Sequence, residues 1–99
     1  MANICENSMR VFGSEKNLEY IYEFFEDWEY SDADEDWYED EQMDITFESE
    51  WTFPEEQMKD LYNHLPDKEN DIYITCLSIE YGNLYHALWV CDKNGWREV

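Results

Sequence analysis

The sequence predicts an α+β domain of two layers. A mostly antiparallel sheet of four to five strands carries two helices on one face, in the order β-α-β-α-β-β. Three observations lead there. Two segments, Leu18 to Trp28 and Met58 to Leu65, repeat apolar residues at helical spacing. QMDITFESEW alternates apolar and polar residues as a half-buried strand does. Two apolar runs near the C-terminus meet at Gly82-Asn83, a tight hairpin signal.

In chain order, NSMRVFG reads as a first strand ending at Gly13. Ser14 then offers an N-cap to a helix whose apolar stripe is Leu18, Ile21, Tyr22, Phe25 and Trp28. Its acids, Glu15, Glu19, Glu23, Glu26 and Asp27, face mostly toward water. Residues 29–42 lack periodicity and form an acidic loop, with room for one turn of helix. In the next strand Met43, Ile45, Phe47 and Trp51 share one face, interrupted by Ser49, while Asp44, Thr46, Glu48 and Glu50 take the other. Thr52-Phe53-Pro54-Glu55 reads as a capping box with proline in the first turn. The second helix buries Met58, Leu61, Tyr62 and Leu65 and stops at Pro66. DIYITCLSIEY and LYHALWVCD follow as strands, and Asn94-Gly95 turns the chain into a short terminal strand, WREV. The whole, residues 1–99, makes a single acidic domain.

Charge dominates the composition. With 26 acids against 6 bases the formal net charge is −20, yet 43% of residues are apolar and 18% aromatic. A disordered acidic tail lacks such aromatics, so the chain folds. The charge repels nucleic acid and anionic membranes, which excludes direct nucleic-acid binding and leaves cations or basic proteins as partners. Cys5, Cys76 and Cys91 are odd in number and form no C-x-x-C pair, which fits a reducing cytoplasm. No basic segment followed by an apolar run and no stretch of about 18 apolar residues occurs, so a soluble, intracellular protein is expected.

Enzyme and metal readings run out quickly. Gly13, Gly82 and Gly95 are too scattered for a phosphate loop. Cys76 or Cys91 with His86 would need an accessible thiolate, but both cysteines sit in apolar strands and read as structural. Asp32, Asp34, Asp36 and Asp40 take alternating positions of a calcium loop. Trp37 and Met43, however, stand where that loop needs its turn glycine and its bidentate glutamate. His64 and His86 lie near no cysteine at zinc spacing. No cofactor is implied.

The charge is also polarised. Half of residues 23–50 are acidic: Glu23, Glu26, Asp27, Glu29, Asp32, Asp34, Glu35, Asp36, Glu39, Asp40, Glu41, Asp44, Glu48 and Glu50. Residues 81–99 sum to zero, with Asp92 and Glu98 against Lys93 and Arg97. A device for solubility alone would spread its charge along the chain. Trp37 and Tyr38, in the middle of the acidic stretch, read either as anchors that hold the loop to the domain or as contact residues inside a charged rim. The fourteen acids with these two aromatics form the candidate partner-binding set.

MANICEN at the N-terminus and FESEWTFPEE, a strand running into Trp-x-x-Pro and a helix, resemble the YubB ferredoxin-like domain family. Members are small proteins carried by phages, plasmids and other mobile elements. The resemblance implies a ferredoxin-like scaffold and a mobile-element origin, and it carries no catalytic residues. The acidic segment between Trp28 and Gln42 lies outside the shared pattern. Function then resides in that segment rather than in the scaffold. The expectation is an inhibitor in the host cytoplasm that mimics nucleic-acid charge and occupies the basic groove of a defence complex. An anti-CRISPR protein is the first candidate and an anti-restriction protein the second. The alternatives are an acidic interaction module for another basic partner, or a weak divalent-cation-binding domain.

Overall fold

The computed structural model describes residues 3–34 and 41–99. Strict alternation of buried and exposed residues organises its first strand, β1 (Ile4–Phe12): Cys5, Asn7, Met9 and Val11 turn inward, and their neighbours turn out. Helix α1 (Glu15–Glu26) follows, and Ser14 caps it as expected, its hydroxyl accepting from the Asn17 backbone N–H at 3.4 Å. The chain continues through β2 (Ser31–Ala33), β3 (Gln42–Glu50), α2 (Glu55–Asn63), β4 (Tyr73–Glu80), β5 (Tyr85–Asp92) and β6 (Gly95–Glu98).

The six strands form one sheet in the order β2-β3-β1-β4-β5-β6, with every pair antiparallel. The two-layer α+β expectation therefore stands, but strand number and order differ from the four to five strands predicted. The extra strand is β2, which falls in what the sequence suggests is a loop. Three residues are too short to show periodicity, and β2 exists only by pairing with Phe47, Thr46 and Ile45 of β3.

Both helices cover the same face. Leu18, Ile21 and Phe25 of α1 and Met58 and Leu61 of α2 pack on Met9, Val11, Met43, Ile45, Phe47, Ile74, Cys76 and Cys91. One buried side chain ties three strands together at the polar end of this face. Asn7 accepts from the Ser78 hydroxyl on β4 at 2.6 Å and donates to the Phe47 carbonyl and the Ser49 hydroxyl on β3, at 3.2 and 2.9 Å. A one-residue slip would break all three bonds, so Asn7 fixes the register on both sides of β1.

Two local expectations fail. Trp51 does not join the core: its backbone turns left-handed, φ 70°, and its ring swings out to 46% exposure. The capping box does not form either. Proline holds the residue before it extended, so α2 starts only after Pro54, which has no side-chain acceptor. The Thr52 hydroxyl instead donates to the Phe53 carbonyl at 3.3 Å.

Alternate residues of β3 should differ sharply in what they contribute. Phe47→Ala is expected to cost about 3–5 kcal/mol in urea unfolding. Thr46→Ala, pointing to the other face, should change stability by less than about 0.5 kcal/mol.

Candidate functional site

The acidic region begins where α1 ends. Phe25, Trp28 and Phe47 form an aromatic cluster there, with ring centroids 4.7 Å apart for Phe25–Phe47, 5.2 Å for Trp28–Phe47 and 5.5 Å for Phe25–Trp28. The Trp28 indole donates to the Glu48 carbonyl at 2.8 Å. The Ser31 hydroxyl lies 2.7 and 3.1 Å from the carbonyls of Phe25 and Trp28 and shares its one proton between them, fastening the start of β2 to the end of α1. These contacts pin the chain as it turns at Tyr30, φ 59°, and enters β2.

Glu23, Glu26, Asp27 and Glu29 are exposed around this pinned helix end. The last turn of α1 has no basic residue, so these carboxylates face the negative end of the helix dipole. This arrangement is locally unfavourable.

The sheet face opposite the helices is open. Strand register places Asp32, Thr46, Ser8, Leu77 and Leu88 in one row across it, and Glu48, Glu6, Ile79 and His86 in the next. Glu6 and Glu48 sit directly opposite each other, a second locally unfavourable contact. In a third row Arg10 meets Asp44, with Nε donating to Oδ1 at 2.8 Å and Nη2 to Oδ2 at 3.5 Å. The Asp44 charge is thus partly neutralised from the neighbouring strand. Glu50 lies opposite Ile4 at the end of the sheet.

Ten of the sixteen predicted partner-binding residues fall within the described structure. Glu23, Glu26, Asp27, Glu29, Asp32, Asp34, Glu41, Asp44 and Glu50 are exposed and Glu48 is half-buried. Glu35, Asp36, Trp37, Tyr38, Glu39 and Asp40 lie outside the described residues, as does any turn of helix there. The described acids do not share one plane. The α1 acids stand on the helical layer, and Asp32, Asp44 and Glu48 lie on the open face, so the carboxylates wrap around the β2–β3 edge.

The cysteine–histidine pair considered from sequence does not assemble. Cys76 and Cys91 point into the core, where burial pushes each thiol up to about 12, while His86 stands on the opposite, open face. All three cysteines are buried and free. Among the described residues no group of three or more His, Cys, Asp or Glu converges to hold a metal ion. Asp32, the first position of the imagined calcium loop, is a strand residue paired with Thr46.

Sequence reasoning missed three features of the region. Glu80 is a buried carboxylate, 2% exposed, and it accepts the backbone N–H groups of Gly82 and Asn83 at 2.6 and 2.7 Å. Gly82 packs so closely on Glu80 and Asn3 that a side chain there would clash with both. Tyr30 and Trp51 flank a cleft of about 980 Å³ at the end of the sheet, with Glu29, Glu48 and Glu50 on its walls. The open face also carries apolar residues beside the acids. Only the last had a signal in the sequence, because the alternate residues Tyr73, Leu77 and Ile79 of β4 are apolar on the face that Ile74 and Cys76 do not share.

No family model, curated protein or solved structure matches the chain. No helix among the described residues is long and apolar enough to cross a membrane.

Asp92 provides a pH test of the electrostatics. The Asn94 backbone N–H and the Arg97 guanidinium hold its carboxyl below the usual carboxylate range. A carboxylate depressed in the folded state adds stability above its unfolded pKa, about 4, and loses it as pH falls through the folded value. Asp92→Asn should therefore lower the thermal midpoint at pH 7. Circular-dichroism melts should show the gap to the parent protein closing as pH falls below about 4.

Proposed function

We propose that this protein is an inhibitor that mimics nucleic-acid charge and occupies the basic groove of a nucleic-acid-binding protein. The carrying observation is an exposed band of carboxylates that wraps the β2–β3 edge and is kept where its placement is locally unfavourable. Acids at the C-terminal end of α1 and Glu6 facing Glu48 both work against folding. A function that needs negative charge at these positions accounts for their presence.

Spacing supports the same reading. Same-face residues of a strand repeat at about 6.6–6.8 Å, which sets the separations among Asp44, Glu48 and Glu50 on β3. Helical neighbours three or four apart lie about 5–6 Å from each other, as Glu19, Glu23 and Glu26 do on α1. Duplex DNA presents one charge per about 1.7 Å of axis over both strands, and its binding proteins meet it with lysine and arginine. A folded array of this density competes for the same cations. Single exposed ion pairs contribute only about 0–1 kcal/mol each, so the array must act through many pairs together.

The scaffold reading is our own inference as well. The elements β1-α1-β2-β3-α2-β4, with strands in the order β2-β3-β1-β4, support a ferredoxin-like split β-α-β arrangement extended by β5 and β6. With the MANICEN and FESEWTFPEE segments this favours kinship with the YubB family and a phage or mobile-element origin. The target is then a host defence complex in the cytoplasm, a CRISPR effector first and a restriction system second. CRISPR effectors hold their heteroduplex in a positively charged channel, the kind of surface this array fits.

Competition tests the proposal against an acidic module for some other basic partner. A partner captured from host extract is loaded with its own nucleic acid and titrated with this protein. Mimicry predicts that saturating protein displaces the nucleic acid, and that reversing Glu26, Glu29, Asp32, Glu48 and Glu50 to lysine together abolishes displacement. Simultaneous binding of protein and nucleic acid would refute mimicry.

A further inference from the structure

The open sheet face is divided. Its β2–β3 side carries Asp32, Asp44 and Glu48, while its β4–β5 side carries Tyr73, Leu77, Ile79 and Leu88, with Phe12 beside them on β1. An antiparallel sheet with one face in water ordinarily alternates apolar with polar residues. Strand β4 does not: Ile74 and Cys76 are buried beneath the helices, yet Tyr73 and Leu77 on the other side are 48% and 45% exposed. Phe12 and Leu88 are 42% and 40% exposed. A groove of about 450 Å³ runs between the two halves, with Leu77 and Ile79 on one wall and Tyr30, Asp32 and Glu48 on the other. Contiguous apolar surface rimmed by charge marks an interaction site.

We propose that this face seats an amphipathic basic helix of the partner, its apolar stripe on Leu77, Ile79 and Leu88 and its lysines or arginines over Asp32, Glu48 and Glu6. The inference rests on the reading above that the partner is a basic nucleic-acid-binding protein, and it names the element that is gripped. Charge complementarity selects this occupant. A second copy would bring another net charge of −20. The two arginines on the face are already engaged within the chain, Arg10 by Asp44 and Arg97 by Asp92. An anionic membrane is repelled by the same carboxylates. A basic helix satisfies both halves at once, and it supplies the second helical layer that the sheet has only on its other side. Proteins that read duplex DNA commonly place such a helix in the groove, so covering it would remove the element that contacts the nucleic acid.

The test uses the full chain and two synthetic helical peptides of equal length and equal lysine content. One carries a leucine stripe and the other carries alanine at the same positions. Calorimetry at physiological salt should give about ten-fold tighter binding of the leucine peptide, or more, as burial of leucine side chains requires. Amide shifts should map to β1, β3, β4 and β5. The double variant Leu77→Ser/Leu88→Ser should remove the difference between the peptides while its melting curve stays cooperative. Equal affinities, with shifts confined to α1, β2 and β3, would overturn the helix seat and leave the acidic-surface reading standing. Binding of neither peptide would overturn both. Shifts at Leu77 and Leu88 that depend on the concentration of the protein alone would assign the face to a second copy and overturn the proposal.

Discussion

The aromatic cluster of Phe25, Trp28 and Phe47 is the contact that holds the end of α1, with its exposed acids, against the sheet. These rings close the gap between the end of α1 and the middle of β3, and the Trp28 indole ties the helix end to the Glu48 backbone. A chain with net charge −20 tends to expand by self-repulsion. Aromatic burial is the strongest local counterweight available, since each ring removes a large apolar area from water. The cluster lies at the end of α1, where Glu23, Glu26, Asp27 and Glu29 are exposed, so repulsion and cohesion meet in one part of the fold. The charge is thereby held on a fixed surface, which is what distinguishes it from an acidic tail.

Charge placement then has a consistent logic. On the acidic side of the sheet the protein softens the repulsion by pairing Arg10 with Asp44 across β1 and β3. It does not do so at the end of α1, nor where Glu6 faces Glu48. Toward β5 and β6 the pattern changes to short-range pairing, as between Arg97 and Asp92, and the local charge falls to zero. The sheet thus grades from acidic at one edge to neutral and apolar at the other. Acidic and apolar surface sit side by side on the open face, the combination that the proposed basic partner would need for steering and close contact.

What the sequence revealed followed the range of the interactions. Ser14 and the alternation of β3 act within a few residues and were legible. So were the places of both hairpins, although the first closes over four residues, 81–84, with Leu84 left-handed, rather than as a tight turn at Gly82-Asn83. Exposure of the acids was legible too, because an unpaired carboxylate is costly to bury. Glu80 breaks that rule only because two turn N–H groups reach it, a geometry without a sequence signature. The short strand β2, the pairing of Arg10 with Asp44 and the opposition of Glu6 and Glu48 all depend on register between distant segments, so no local pattern announces them. Trp51 was misplaced by simple alternation, because one left-handed residue at the end of β3 reverses the direction of its side chain. The divided open face was half visible, in Tyr73, Leu77 and Ile79 of β4, but its acidic half needed the register to be seen.

The proposed function requires that this surface be gripped electrostatically by something basic. The most direct measurement is affinity for the captured partner across a range of salt concentrations. Screening shortens from about 10 Å at 0.1 M to about 3 Å at 1 M. Under mimicry the logarithm of the association constant falls steeply and linearly with the logarithm of salt, as when many cationic contacts form together, while a weaker apolar component persists at high salt. An affinity unchanged by salt over that range would contradict it.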